Sequence, residues 1–215
     1  MEIKVVRQIL EWNENCHDEL RKKFDDKKVL VINIMGSPGG GKTTFITRII
    51  EALRHEYKIG VIEGDLAGKI DAEKIAKMGI PVVQLNTEGA CHIEAMSIKN
   101  IIPDFDLDNL DILIVENIGN LVCPAEFDIG EDLKIALLSV PEGDDKVEKY
   151  PLMFSRADAL VISKYDMKEY FEFDEERVIK NTQVMNKEAV FFKVNSSKGE
   201  GIEDFLYWIK KYIKK

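Results

Sequence analysis

The sequence has few cysteines and no long apolar run. Cys16, Cys91 and Cys123 are the three cysteines among 215 residues. An odd, small number argues against a disulfide framework and predicts reduced thiols. No stretch approaches the roughly 18 apolar residues that span a bilayer, and the chain is charged from Glu2 onward without a signal-peptide core. We therefore expect a cytoplasmic protein with no membrane segment.

Basic runs are also missing. The net charge is −9, from 39 acidic and 30 basic residues, which argues against binding a nucleic-acid backbone over a broad face. Apolar residues make up 45% of the chain, enough to build one covered core without disulfides or a structural metal. We expect one globular domain and no nucleic-acid partner.

Short apolar runs alternate with longer amphipathic stretches, which is the pattern of a doubly wound α/β domain with a mostly parallel sheet. Seven runs are apolar on both faces and are predicted to be buried strands: residues 29–35, 59–63, 82–85, 112–116, 135–140, 159–163 and 190–195. Apolar residues at helical spacing predict an amphipathic helix over residues 5–25 and a C-terminal helix over residues 202–213.

A phosphate-binding motif follows the first strand directly. The segment GSPGGGKTT fits the pattern G-x-x-x-x-G-K-[ST], and its residues are Gly36, Ser37, Pro38, Gly39, Gly40, Gly41, Lys42, Thr43 and Thr44. Glycines let backbone N–H groups turn toward the phosphates, and the N-terminus of the next helix adds positive potential. Lys42 would meet the β- and γ-phosphates, and the Thr43 hydroxyl would bind Mg²⁺.

Acidic residues stand at the ends of later strands, where an open α/β sheet places its ligand crevice. Asp65 follows the second predicted strand and Glu116 ends the fourth. Both carboxylates are predicted to reach Mg²⁺ or its waters, and the alternative is ordinary surface acids. Gly119 lies three positions after Glu116, where its backbone N–H could bind the γ-phosphate and report its presence. With Lys42 and Thr43, these residues form the predicted catalytic set for nucleotide hydrolysis.

The sixth strand leads into Ser163-Lys164-Tyr165-Asp166, which is similar to the N-K-x-D guanine-binding motif. Asp166 would accept two N–H bonds from guanine, a pattern that adenine cannot supply. Lys164 would cover the ring. Ser163 replaces the usual asparagine and has a shorter reach. Ser196 and Ser197 follow the last strand and are predicted to contact the base. These residues favour GTP as substrate and GDP as product.

Cysteine and histidine residues flank the predicted switch. Cys91 and His92 are adjacent, and we expect them at the start of a helix, where the pKa of a thiol is lowered. Cys123 lies near the end of the switch sequence ENIGNLVCP. Such ligands suit Ni²⁺ or Zn²⁺. Their spacing is not that of a zinc finger, and buried thiols with an ordinary histidine are the alternative. Cys16 and His17 form a weaker pair, because adjacent helical side chains diverge.

As a set, the motifs resemble the HypB-type hydrogenase maturation GTPases, which belong to the SIMIBI class of P-loop NTPases that includes signal-recognition and MinD-like proteins. The resemblance runs from about Lys28 to the C-terminus and rests on GSPGGGKTT, EGDLAGKIDAEK, LNTEGACHIEA, ENIGNLVCPAEFD, EGDDKVEKYP and SKYD. It implies an appended helix over residues 1–27 and a GTPase domain over residues 28–215.

The resemblance also implies a function. A slow, Mg²⁺-dependent GTPase would act as a metallochaperone that delivers nickel to a [NiFe]-hydrogenase. It would form a GTP-favoured homodimer with Cys91, His92 and Cys123 holding Ni²⁺ or Zn²⁺ at the subunit interface. A partner nickel accessory protein and the hydrogenase large subunit would be its partners.

The chain departs from the family pattern in several places. It has three histidines and no N-terminal cysteine cluster or histidine-rich segment, so nickel storage is unsupported. Met96 and Asn100 stand where further histidines can occur. Lys146 is a candidate contact across the dimer, with an ordinary solvated lysine as the alternative. Rival functions are a urease-type nickel accessory GTPase, a nucleotide-binding metal carrier without hydrolysis, and a small-molecule P-loop kinase, for which no arginine-rich lid is evident.

Overall fold

The computed structural model describes residues 2–65, 70–87 and 89–214, and the side chains of residues 2–11, 65, 70 and 71 lie outside that description. Seven strands are present: β1 Leu30–Gly36, β2 Ile59–Asp65, β3 Val82–Asn86, β4 Ile112–Glu116, β5 Leu133–Ser139, β6 Ala159–Ser163 and β7 Val190–Lys193. They form one sheet in the order β3-β2-β4-β1-β5-β6-β7, in which all six pairings are parallel. The predicted α/β fold and all seven predicted strands are confirmed, with small shifts at the strand ends, but the burial expected of every strand is wrong for the edge strands β3 and β7, which are only partly buried.

The helices are α1 Glu2–Asp26, α2 Lys42–Leu53, α3 Ile70–Ala76, α4 Ala95–Ile101, α5 Lys146–Lys149, α6 Pro151–Arg156, α7 Glu175–Met185 and α8 Ile202–Ile209. The predicted C-terminal helix is shorter than expected. After Ile209 the chain tightens into a 3-10 turn, Lys210–Tyr212, in which the Tyr212 ring packs 5.2 Å from that of Trp208.

Helices cover both faces of the sheet. On one face, Phe45 and Ile49 of α2 and Phe205 and Ile209 of α8 are fully buried in a single apolar cluster with the strands. The opposite face is covered in two parts, by α1 and α4 and by α6 and α7. Because a parallel sheet is buried on both sides, its strands need apolar residues at successive positions, which explains their continuous apolar runs.

Helix α1 is tied to the loop that precedes β5. The predicted apolar stripe is buried at Cys16 and Leu20. His17 Nδ1 accepts the backbone N–H of Gly130 at 2.9 Å, and the Arg21 guanidinium pairs with Asp132 at 2.9 Å. The division between residues 1–27 and 28–215 stays a prediction. None of the helices in the described part of the chain is long and apolar enough to cross a membrane.

The phosphate loop lies at the carboxyl end of β1, in the middle of the sheet. β1 pairs with β4 on one side and with β5 on the other. The chain winds outward in both directions from this point, and such a switch point leaves a crevice at the strand ends. The loops after β2, β4, β6 and β7 leave the sheet at this same edge.

Candidate functional site

The phosphate loop has the conformation that its sequence predicts. A side chain at Gly36 would place its first carbon 2.7 Å from the Leu137 carbonyl oxygen, so only glycine fits beside β5. Gly41 precedes α2 with φ 97°, a left-handed conformation that favours glycine. Helix α2 begins at Lys42, whose ammonium donates to the carbonyl oxygens of Gly36 at 3.4 Å and Ser37 at 3.1 Å. The ammonium therefore lies over the loop, where a bound phosphate would meet it.

A cavity of about 450 Å³ opens above this loop. The Thr43 hydroxyl donates to Glu116 Oε1 at 3.0 Å, so the predicted magnesium ligands Thr43 and Glu116 are in contact. Glu63 of β2 is the direct neighbour of Glu116 in the sheet and also lines the cavity. Glu63 is 3% exposed and Glu116 6%. Two adjacent carboxylates and a hydroxyl supply the oxygen ligands that Mg²⁺ prefers. The Asp65 side chain lies outside the described residues.

The predicted switch loop lies directly on the phosphate loop. Gly119 lines the cavity, and a side chain at this position would place its first carbon 2.7 Å from Pro38 Cγ. The backbone N–H of Asn120 donates to the Gly36 carbonyl oxygen at 3.1 Å, which forms an isolated antiparallel bridge. Residues 119 and 120 are therefore in direct contact with the phosphate loop.

A second cavity, of about 250 Å³, adjoins the phosphate loop where the base is expected. The predicted base-contacting residues Lys164, Asp166, Ser196 and Ser197 all line it, as do Ser163, Met167 and Asn195. The Ser163 hydroxyl donates to the Gly40 carbonyl oxygen at 2.6 Å, and the Lys164 ammonium donates to that of Gly39 at 2.7 Å. Serine thus ties the base loop to the phosphate loop despite its short reach.

Arg48 of α2 holds the last base-contacting loop. Its guanidinium donates to the carbonyl oxygens of Ser196 and Ser197, each at 2.7 Å. The Ser196 hydroxyl is buried at the cavity and makes no hydrogen bond to the described residues. Since Arg48 lies one helical turn beyond the phosphate loop, it fixes the base cavity relative to the phosphate cavity.

Cys91, His92 and Cys123 converge beside the switch loop. Their candidate ligand atoms all lie within 4.8 Å of one another. The two sulfur atoms are 2.9 Å apart, and His92 Nδ1 is 3.6 Å from the Cys91 sulfur. Cys91 is exposed and Cys123 is partly buried. Two thiols and an imidazole at this spacing are suited to a borderline metal ion such as Ni²⁺ or Zn²⁺.

The His92 ring is fixed with Nδ1 toward the sulfur atoms. It stacks on Phe127 with ring centres 4.0 Å apart, and its Nε2 lies 3.4 Å from Glu94 Oε1. Burial lowers the pKa of His92, and Glu94 opposes this shift. A neutral ring with a carboxylate beside one nitrogen presents the other nitrogen to a metal ion.

The expected position of Cys91 at a helix N-terminus is wrong. Helix α4 begins at Ala95, and residues 91–94 form a loop. The reason is that asparagine side chains bind the backbone here: Asn117 Oδ1 accepts the N–H of Ile93 at 3.2 Å, and Asn13 Oδ1 accepts that of Ala95 at 2.9 Å. Cys91 therefore lies four residues before the first residue of α4 and not in its first turn.

The pKa of the Cys123 thiol is raised. The largest cause is its hydrogen bond with Cys91, followed by burial, and Asn120 acts in the opposite direction. Two thiols in contact without a cation do not both ionise easily, because their charges would repel. A bound metal ion would supply the positive charge that the site requires.

Sequence reasoning missed several residues of the site. The strand pattern predicts Glu63 only as a strand residue, although its place two residues before Asp65 is a signal for the site. Arg48 and Met167 carried no motif. Asn117 and Asn120 belong to the segment ENIGN and match no ligand-binding motif, although they lie among the predicted site residues Glu116, Gly119 and Cys123. Their side chains bind the segment that carries Cys91 and His92.

The chain is similar to known nucleotide-binding proteins. The family described as CobW/HypB/UreG, nucleotide-binding domain, matches residues 30–193. The hydrogenase maturation factor HypB of Escherichia coli strain K12 is 39% identical over 97% of this chain and 72% of its own length. The hydrogenase/urease maturation factor HypB of Helicobacter pylori is 41% identical over 95% of this chain and 85% of its own length.

A crystal structure of Helicobacter pylori HypB in complex with nickel superposes with a TM-score of 0.87 at 39% identity, covering 93% of this chain and 94% of that one. Family match, sequence identity and fold therefore agree. The chain belongs to the HypB group of the CobW/HypB/UreG family of nucleotide-binding proteins.

Proposed function

We propose that this protein is a Mg²⁺-dependent GTPase of hydrogenase maturation whose nucleotide state controls a nickel ion held by Cys91, His92 and Cys123. The observation that carries the proposal is the convergence of these three ligands within 4.8 Å, because Cys123 follows the loop that contacts the phosphate loop through Gly119 and Asn120. Relatives named as hydrogenase maturation factors, and a nickel complex of one of them, support it.

GTP binding and hydrolysis would use the two cavities together. Lys42 would neutralise the β- and γ-phosphates. Asp166 would accept the guanine N–H groups, and Lys164 would cover the guanine ring. Thr43, Glu116 and Asp65, with Glu63 beside them, are the residues proposed to hold Mg²⁺, which neutralises phosphate charge when it is bound. The Gly119 N–H would contact the γ-phosphate. Turnover without a partner should be slow, about 10⁻⁴ to 10⁻² per second.

Nickel is the cargo. Three ligands per chain leave a four-coordinate site one short, and a two-fold dimer can supply the missing ligand from its second copy. Cys91 is exposed, and Val122, beside Cys123, is 45% exposed. This face is therefore proposed as the GTP-favoured dimer interface, from which nickel would pass between an accessory protein and the hydrogenase large subunit. Zn²⁺ suits the same ligands.

The experiment for hydrolysis measures phosphate release from GTP and ATP with and without Mg²⁺. We expect slow multiple turnover of GTP that is lost in Lys42→Ala and kept in Lys187→Ala, a change of an exposed lysine outside both cavities. GTP binding without turnover would support a metal carrier instead. Comparable turnover of ATP would contradict the role given to Asp166.

The experiment for the cargo titrates the reduced protein with Ni²⁺ and Zn²⁺ while its mass in solution is followed. We expect binding to be lost in Cys91→Ala and in Cys123→Ala and kept in Cys16→Ala, where the thiol lies on the buried face of α1. Unchanged binding in the first two variants would remove the nickel proposal. Service to a urease is a second candidate, because the Helicobacter pylori relative is named a hydrogenase/urease maturation factor.

A further inference from the structure

We infer that Asn120 is the positioning residue that couples the nucleotide site to the two cysteine-bearing segments of the metal site. This inference rests on the proposed function and names the side chain through which the regulation acts. Asn120 lies between Gly119, which abuts Pro38, and the turn that begins at Cys123.

Asn120 is bound at once to the phosphate loop and to both metal-binding segments. Its backbone N–H donates to the Gly36 carbonyl oxygen at 3.1 Å. Its side-chain Nδ2 donates to the Cys91 carbonyl oxygen at 3.2 Å, and its Oδ1 accepts the Val122 N–H at 2.8 Å. One residue thus sets the positions of the backbone at Cys91 and of the backbone next to Cys123.

The phosphate-loop end of this link is built to respond to nucleotide. The Gly36 carbonyl oxygen that accepts from Asn120 also accepts from the Lys42 ammonium, at 3.4 Å. A bound phosphate would draw Lys42 away from this carbonyl, and a γ-phosphate would compete for the neighbouring Gly119 N–H. Both events would change the hydrogen bonds around residues 119 and 120.

The separation of the two sulfur atoms at the metal site is sensitive to small displacements of Asn120. A tetrahedral ion with metal–sulfur bonds of about 2.3 Å holds two sulfur ligands about 3.8 Å apart, so the sulfur atoms of Cys91 and Cys123, which are 2.9 Å apart, would move apart on binding. A small displacement of Asn120 shifts the Cys91 backbone relative to the Cys123 turn and changes that separation. Nucleotide state would then alter nickel affinity without any contact between nickel and nucleotide.

The coupling is measured as the ratio of the Ni²⁺ dissociation constants in the GDP and GTP-analogue states. For the unmodified protein we expect a ratio that differs from one by about fivefold or more, in the usual range of coupling between sites. Asn120→Ala should bring the ratio within about twofold of one, since a side chain that serves only folding would not alter this ratio selectively.

Asn120→Asp separates the two halves of the amide. It keeps the oxygen that accepts from Val122 and loses the nitrogen that donates to Cys91, so we expect the ratio to collapse here as well. Asn109→Ala is the matched control, because Asn109 is exposed and its side chain donates to the nearby Asp106. Thermal unfolding of each variant shows whether it is folded.

A wild-type ratio in both Asn120 variants would overturn the inference and leave the proposed function standing. Failure of the unmodified protein to bind Ni²⁺ through its cysteines, or a ratio of one, would overturn the proposed function and the inference with it. The two failures are distinguished because only the second is seen in the unmodified protein.

Discussion

Asn33→Leu should destabilise the protein strongly, because Asn33 is the middle of a buried chain of polar side chains. Asn117 Nδ2 donates to Asn33 Oδ1 at 3.1 Å, and Asn33 Nδ2 donates to Glu131 Oε1 at 3.2 Å. Both asparagines are 0% exposed. Glu131 also accepts the Ile129 N–H at 2.7 Å. These hydrogen-bonded side chains join β1 to the end of β4 and to the loop before β5.

The magnitude follows from what the substitution leaves behind. Leucine keeps the approximate volume of asparagine but leaves the Asn117 amide without its acceptor, at about 1–3 kcal/mol. It also removes a donor from the buried Glu131 carboxylate, at about 1.5–3 kcal/mol. We expect a loss of roughly 3–5 kcal/mol in the free energy of unfolding. Asn117→Leu should lose more, because Asn117 Oδ1 also accepts the N–H groups of Ile93 and Ile118.

Urea unfolding of the nucleotide-free protein, followed by circular dichroism, measures these losses. The double variant should be more stable than the sum of the two losses implies, by about 1–3 kcal/mol, because both single changes break the same hydrogen bond. Asn109→Leu, at an exposed asparagine, should change stability by less than about 0.5 kcal/mol. A loss below about 1 kcal/mol in Asn33→Leu, or strictly additive losses, would refute the reasoning.

Three further changes test other contacts. Arg48→Ala should weaken GDP binding about tenfold with little effect on the weaker ADP affinity, since two charged hydrogen bonds to the base loop are lost; equal effects on both nucleotides in calorimetry would argue against this role. Gly119→Ala should slow GTP hydrolysis by about tenfold or more, because its methyl group would lie 2.7 Å from Pro38; unchanged phosphate release would contradict the switch assignment. Hydrogen bonds from Lys168, Lys193 and Tyr165 lower the pKa of Glu175 from 4.5 to about 2. The stability that they add is therefore complete above pH 4.5 and is lost as the pH falls toward 2. Glu175→Gln should cost about 1 kcal/mol at pH 7 in urea unfolding and progressively less below pH 4.5, whereas a pH-independent difference would exclude the ion pairs as its cause.

The parts of the fold that follow from local pattern were predictable. Strands buried on both faces must be apolar at successive positions, so the five central strands could be located from the sequence. The edge strands β3 and β7 are also apolar runs, although they are only partly buried. The phosphate loop was equally readable, because Gly36 and Gly41 occupy positions that other residues would not fit. The C-terminal helix was expected to be longer, since the apolar residues continue beyond Ile209 while the backbone tightens around Trp208 and Tyr212.

The remainder depends on contacts between distant segments. Glu63 becomes part of the site only because β2 and β4 pair in a register that sets it beside Glu116. Asn33 lies within an apolar run of the sequence. Its structural role is to hydrogen-bond with Asn117 and Glu131, which only the folded structure brings beside it. The loop at Cys91 was expected to be helical, because no local signal shows that Asn13 and Asn117 bind its N–H groups.

The metal site itself lies between these two cases. The spacing of Cys91, His92 and Cys123 along the chain is also compatible with buried thiols and an ordinary histidine. The resemblance to a known family favours a metal site instead. The structure adds the stacking of His92 on Phe127 and the contact of Glu94 with its other ring nitrogen. Both features orient Nδ1 toward the thiols, which the sequence pattern alone could not establish.

The most direct test of the account is X-ray absorption at the nickel edge of the Ni²⁺-loaded, reduced protein in its GDP and GTP-analogue states. Sulfur and imidazole ligands, with sulfur scattering that falls in both Cys91→Ala and Cys123→Ala and differs between the nucleotide states, are the predicted result. A nickel environment of oxygen and nitrogen atoms alone, unaffected by either substitution, would contradict it.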